Sequence, residues 1–176
     1  MQHDEWMNTL LENLAETGEE GREAVVFIRA HKTKIRFWRA STAIGAFWTI
    51  FGNIRINSRF YSKQTSTNDP QLLNLIAHEV RHLRQGVLTA LSVYGELEAW
   101  QEGFRVYQQV SGQLPKHPAI EDLMELPFTW NREILRDAVR LMQAYAKKGY
   151  RIDLLPLYPL PAEIRFRLTG KILANN

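Results

Sequence analysis

The sequence predicts a mainly helical α+β fold in which a small antiparallel sheet packs on one helix, the helix that carries His78-Glu79-Val80-Arg81-His82. Three observations predict it. Apolar residues recur at helical spacing over most of the chain. One segment, Thr42 to Tyr61, is instead rich in Ile, Phe, Trp, Thr and Tyr and has Gly52-Asn53 near its middle. Between these two kinds of segment, Asn68-Asp69-Pro70 and Gly86 frame a helix with start and stop signals at both ends.

The elements follow in chain order. Asp4 to Ala15 places Trp6, Met7, Leu10, Leu11 and Leu14 on one helical face, and Thr17-Gly18 ends it. A second helix is expected from Glu19 to about Ala30, with Val25, Val26 and Ile28 inward. Arg29 to Arg39 is the most basic stretch, holding Arg29, Lys32, Lys34, Arg36, Arg39 and His31. Ile35 and Phe37 alternate there with Lys34, Arg36 and Trp38. A solvated strand face therefore takes precedence over a polyanion-binding patch.

Thr42 to Tyr61 reads as a hairpin: a strand to Phe51, a turn at Gly52-Asn53, and a strand from Ile54 to about Phe60. Ile54, Ile56 and Ser58 share one face of the second strand. Ser62 to Asp69 is loop. Asn68 or Asp69 can cap the next helix, and Pro70 suits its first position, where its missing N–H costs nothing. This helix runs to about Gln85. A long helix is expected from Thr89 to Val110, a break at 111–118, and a helix from Asn131 to Lys148 closed by Gly149. Pro156, Pro159 and Pro161 predict an extended segment over 151–162. The whole reads as a single domain over 1–176: N-terminal helices to 33, sheet and motif helices over 34–110, then a C-terminal helix and a Pro-rich tail.

Composition narrows the chemistry. The chain has 176 residues, 45% hydrophobic and 23% charged, with net charge +3. The charge is mildly basic and does not by itself argue for nucleic acid, which is not expected as a partner. There is no cysteine, so disulfides and zinc–thiolate sites are excluded and any metal must sit on His, Asp or Glu. The N-terminus lacks a basic region followed by an apolar run, and Ala43 to Gly52 is about half the length of a membrane helix. The expectation is a soluble, cytoplasmic protein without a membrane partner.

On a helix, His78 and His82 lie one turn apart on one face, so both imidazoles can reach one metal ion, and Glu79 beside them can serve as general base. At about 100° per residue, Leu72, Leu75, Ile76 and Leu83 form the apolar face of this helix, and Glu79 falls near its middle. Burying an unpaired carboxylate is costly, and a metal site beside it would explain the placement. A third ligand is needed. Glu96 and Glu98 compete for that role. On the wheel of the following helix Glu96 lies with Ser92, Ala99, Trp100 and Gly103 on the packed face. Glu98 lies with Tyr94, Gln101, Glu102 and Arg105, taken as the solvent side. Glu96 is therefore preferred. Tyr94, Tyr107, His117 and Arg81 are eligible to stabilise an oxyanion, none of them strongly.

In these residues the chain resembles the gluzincin branch of the zincin metallopeptidases. There, H-E-x-x-H supplies two His ligands and the base, and a Glu on the next helix supplies the third ligand, often within Glu-x-x-Ala. Glu96-Leu97-Glu98-Ala99 matches that segment. Trp100 stands where the family commonly has an Asp that supports a ligand His, and Asn74, Gln85 or Glu102 would have to replace it. The metzincin extension is absent. The resemblance covers about residues 42–110. It implies Zn²⁺ as cofactor, a peptide or protein substrate, and a strand edge lining the cleft. The alternative is a zinc-binding regulatory or sensor protein on a protease-like scaffold, without catalysis.

Overall fold

The computed structural model describes residues 3–39, 44–146 and 150–172. They form a mainly helical α+β fold of eight α-helices and one three-stranded sheet. Two compact units divide the chain: Met1–Arg84 with Glu102–Leu114, and Gln85–Gln101 with Pro115–Asn176.

The first unit begins with α1 (His3–Ala15) and α2 (Glu19–Ala30). Both are amphipathic as their spacing predicts. Trp6, Leu10 and Leu14 of α1 and Ala24, Val25 and Ile28 of α2 enter one core. Val26, expected inward, is instead 67% exposed, because Val25 and Ile28 already occupy the inner face and Val26 lies about a quarter-turn beyond it.

The sheet consists of β1 (Ile35–Trp38), β2 (Ala46–Trp48) and β3 (Ile54–Asn57), in the order β1-β3-β2. β2 and β3 are the expected antiparallel hairpin, although both strands are shorter than their composition suggests. Its turn is closed by Thr49 N–H to Asn53 O at 2.8 Å, Gly52 N–H to Thr49 O at 2.9 Å, and a positive φ of 72° at Gly52. β1, however, lies parallel to β3, so the sheet is mixed and not wholly antiparallel. Alternation of side chains reports which face of a strand is buried but not which strand is its neighbour. The inner face carries Ile35, Ile54 and Ile56, which join the core.

Helix α3 (Pro70–Gln85) packs on that face through Leu72, Leu73, Ile76, Ala77 and Val80, all in the same cluster. Asp69 caps it, its Oδ1 accepting from Leu72 N–H at 2.8 Å. The C-terminal part of α5 (Val93–Ser111) completes this unit with Val106. Gly103 is needed at this contact: a Cβ there would stand 2.2 Å from Asn74 Oδ1 and 3.0 Å from Asn74 O. The two helices thus meet where one of them has no side chain.

The second unit holds α4 (Val87–Ala90), the start of α5, α6 (Pro118–Glu125), α7 (Arg132–Ala146), a 3₁₀ turn over Ile152–Leu154 and α8 (Leu160–Thr169). The helix expected over 89–110 is therefore two helices. Ser92 breaks it: its Oγ accepts from Gly95 N–H at 3.0 Å, an N-cap bond, and donates to Thr89 O at 2.6 Å. Gly95 sits so close to α4 that a Cβ would lie 2.1 Å from Thr89 O. The first-turn donors Val93 N–H and Tyr94 N–H go to Pro156 O at 2.8 Å and Leu157 O at 3.1 Å. The tail is thus anchored by main-chain bonds. It is not extended over the whole of 151–162, since Pro159 caps α8 and Pro161 lies in its first turn. Helix α6 was not foreseen; Pro118 at its start and the His117 cap are its signals. Gln101 Nε2 donates to Leu123 O and Leu126 O, each at 2.8 Å, satisfying carbonyls at the end of α6. Asn131 caps α7, which is described to Ala146; the expected stop at Gly149 lies outside the described residues. No helix among the described residues is long and apolar enough to cross a membrane.

Candidate metal centre

The motif occupies the middle and end of α3. Glu79 is 5% exposed and His82 2% exposed, while His78 is half-buried. This is the placement expected from the wheel. Glu79 does not lie there unpaired: its Oε2 accepts from the main-chain N–H of Trp48 at 2.8 Å. Trp48 ends β2, whose other neighbour in the sheet is β3 alone, so this N–H belongs to an edge strand. The hairpin therefore orients the acid of the motif. A charge-assisted bond from a fixed main-chain donor offsets part of the desolvation cost of a buried carboxylate. The Trp48 ring also lies 6.1 Å from the His82 ring.

The two imidazoles converge. Their Nε2 atoms are 3.0 Å apart, and the rings meet edge to face at 4.6 Å between centroids. One ligand atom each from His78, His82 and Glu96 falls within 4.8 Å of the others, and this group could hold a metal ion. The donor set fits that use. Two tetrahedral imidazole ligands at the usual zinc–nitrogen distance stand about 3.3 Å apart, close to the spacing observed. Without a cation the same two nitrogens can share only one proton, and a doubly protonated pair would repel.

Glu96 is held from its own side. The phenol of Tyr150 donates to Glu96 Oε2 at 2.5 Å, and Trp100 Nε1 donates to the Tyr150 oxygen at 3.0 Å. Trp100 thus directs the Tyr150 proton toward Glu96. Trp100 stands where the resemblance led us to expect a carboxylate, and here it supports the Glu and not a His. Tyr150 was missed by sequence reasoning. It lies 54 residues from Glu96 in an irregular segment, and no periodicity or cap marks it.

Glu98, the competing ligand, is engaged elsewhere. Its Oε2 accepts from Gln85 Nε2 at 2.8 Å, and Gln85 also donates to Gly95 O at 2.9 Å. The face assigned to solvent on α5 is not solvent: Gln101 and Glu102 are both buried. Glu102 receives Arg84 Nη1 at 3.1 Å and Arg81 Nη1 at 3.5 Å, which clamps α3 to the second half of α5. Burial pushes the Glu102 carboxyl above its ordinary pKa, against the opposing pull of Arg84 and then Arg81. This anchor lies six positions after Glu96 on the same helix (102 − 96).

The remaining candidates are placed as follows. Arg81 pairs with Glu102, as expected of a residue pointing off the ligand face. Tyr94 packs edge-on against Trp130 at 6.3 Å. His117 caps α6, its Nδ1 accepting from Ala119 N–H at 3.2 Å. The main-chain oxygen of Tyr107 accepts from Ser111 Oγ. None of the four belongs to the ligand group. Of the three residues suggested as supports for a ligand His, Asn74 faces Gly103, Gln85 serves Glu98, and Glu102 serves the two arginines.

In comparisons with protein-family models, curated proteins and solved structures, none matches this chain.

Proposed function

We propose that the protein is a zinc-dependent metallohydrolase of the zincin type that cleaves peptide bonds. The observation that carries the proposal is the convergence of His78, His82 and Glu96 beside the buried, main-chain-oriented Glu79. Two imidazoles and one carboxylate, with no thiolate anywhere in the chain, are the donor chemistry of a hydrolytic zinc site with an open position. Zn²⁺ held there would polarise the scissile carbonyl and acidify the attacking water.

The chain's own residues have distinct parts. Glu79 takes a proton from the attacking water and delivers it to the departing amine nitrogen as the C–N bond breaks. The Trp48 N–H fixes the direction of its carboxylate. Tyr150 is a positioning residue: it restrains Glu96, and Trp100 restrains Tyr150.

The test is metal analysis of the purified protein, with His78→Ala and Glu79→Gln in parallel. The wild type and Glu79→Gln are expected to hold one zinc per chain, and His78→Ala to lose it. A wild type that holds no zinc when zinc is supplied ends the proposal. Zinc held by a fourth protein ligand, with no hydrolysis of peptide substrates, would favour the regulatory reading.

A further inference from the structure

The outward face of the sheet carries a different chemistry. Residues 24–68 contain eight Lys or Arg and no Asp or Glu, so the rest of the chain has net charge 3 − 8 = −5. The register gathers part of this charge. Arg36 of β1 stands opposite Arg55 of β3, and Arg55 stands opposite Phe47 of β2. All three point away from the core, one position out of phase with Ile35, Ile54 and Ile56. Trp38, two residues beyond Arg36 on the same face, is 53% exposed. The Arg55 guanidinium lies 5.5 Å from the Trp38 ring centre, and that of Arg59 lies 5.9 Å from the Phe60 ring.

Two like charges directly opposite in a sheet are destabilising, and a carboxylate between them would relieve the pair. Among the described residues no ion pair joins Arg36 or Arg55 to a carboxylate. An exposed tryptophan on a soluble sheet face is a second cost. Both costs are repaid by a single kind of partner, a polyanion with flat aromatic groups. We infer that this face binds single-stranded nucleic acid, with bases stacked on Trp38 and Phe47 and phosphates on Arg36 and Arg55. Guanidinium groups interleaved with rings on one flat face suit bases better than a lipid surface. The exposed apolar pair Ile50 and Phe51 is at the hairpin turn, beside Ile54, and Trp38 is at the opposite end of the sheet, beside Asn57. The sequence alone favoured a solvated face here. The register, the exposure of Trp38 and the lack of a carboxylate partner for Arg36 and Arg55 among the described residues reverse that preference.

The experiment is fluorescence anisotropy of a short labelled single-stranded oligonucleotide of mixed sequence, as RNA and as DNA, titrated with the full chain. Binding is expected to weaken by ten-fold or more between about 50 and 200 mM salt. Trp38→Ala is expected to weaken it about ten-fold, and Trp38→Phe to restore most of it. Arg36→Ala should lower the salt dependence by about one phosphate contact. Zinc content and thermal melting of each variant monitor folding and separate this face from the metal centre. Absence of binding at low salt, unchanged affinity in folded Trp38→Ala, or capture by phosphatidylserine vesicles in place of the oligonucleotides would overturn the inference.

Discussion

Trp48 and Glu79, 31 residues apart, are joined by one hydrogen bond in which the main-chain N–H of an edge strand donates to a buried carboxylate at 2.8 Å. The donor cannot be removed by changing the Trp48 side chain, so the orientation of Glu79 is a property of the hairpin. Glu79→Gln keeps the size of the group and removes its basicity. The expected outcome is a loss of peptide hydrolysis of at least about a hundred-fold in kcat, in line with a general-base contribution. Steady-state kinetics on a peptide library, with zinc content measured alongside, check it.

Tyr150→Phe removes one hydroxyl from the support of Glu96. Loss of such a partner typically lowers metal affinity or activity about 10- to 100-fold. Competition with a chromogenic chelator should show weaker zinc binding, while the thermal stability of the zinc-free protein changes little. Equal zinc affinity in the two proteins would detach Tyr150 from the metal centre.

Gly103→Ala forces a methyl group into Asn74, against both its side chain and its main-chain oxygen. The first contact can yield by rotation and the second cannot. Overpacking of this kind costs about 1–3 kcal/mol, read as a lower midpoint in denaturant. Gly52→Ala, where a Cβ would meet nothing within 4 Å, tests φ alone, and the comparison separates crowding from backbone strain.

Glu102 sets an expected pH dependence. Its folded pKa is raised, so the folded state binds its proton more tightly than the unfolded state does. Its contribution to stability is therefore fully present below the unfolded value and is lost as pH rises through the raised folded value. Glu102→Gln should flatten the stability profile across that acidic window. Urea denaturation at a series of pH values checks the sign: a variant that loses more stability than the wild type on going from acid to neutral pH would contradict it.

What was legible in the sequence was what local chemistry encodes. The helix of the motif could be read because Asp69 and Pro70 start it and Gly86 ends it, and each acts within one turn. The burial of Glu79 and the preference for Glu96 over Glu98 followed from the angular positions of their neighbours. The antiparallel hairpin followed from one turn dipeptide. The parallel β1, the Ser92 break and helix α8 did not follow, because each depends on a partner distant in sequence or on a cap inside an apolar run. The buried Glu102 was misread for the same reason: its two arginines are on another helix, and a wheel sees only one. Tyr150 had no local signature at all.

The bond between Tyr150 and Glu96 also bears on the order in which the chain assembles. His78 and Glu96 are 18 positions apart (96 − 78), whereas Tyr150 lies 54 positions beyond Glu96. Closing a loop three times longer costs about 1 kcal/mol more in chain entropy, and the residues between must emerge from synthesis first. Loop closure alone therefore favours the meeting of the three candidate ligands over the docking of the tyrosine. If the proposed metal binds there, its uptake would depend on the segment 78–96 and its retention also on the distant segment that carries Tyr150.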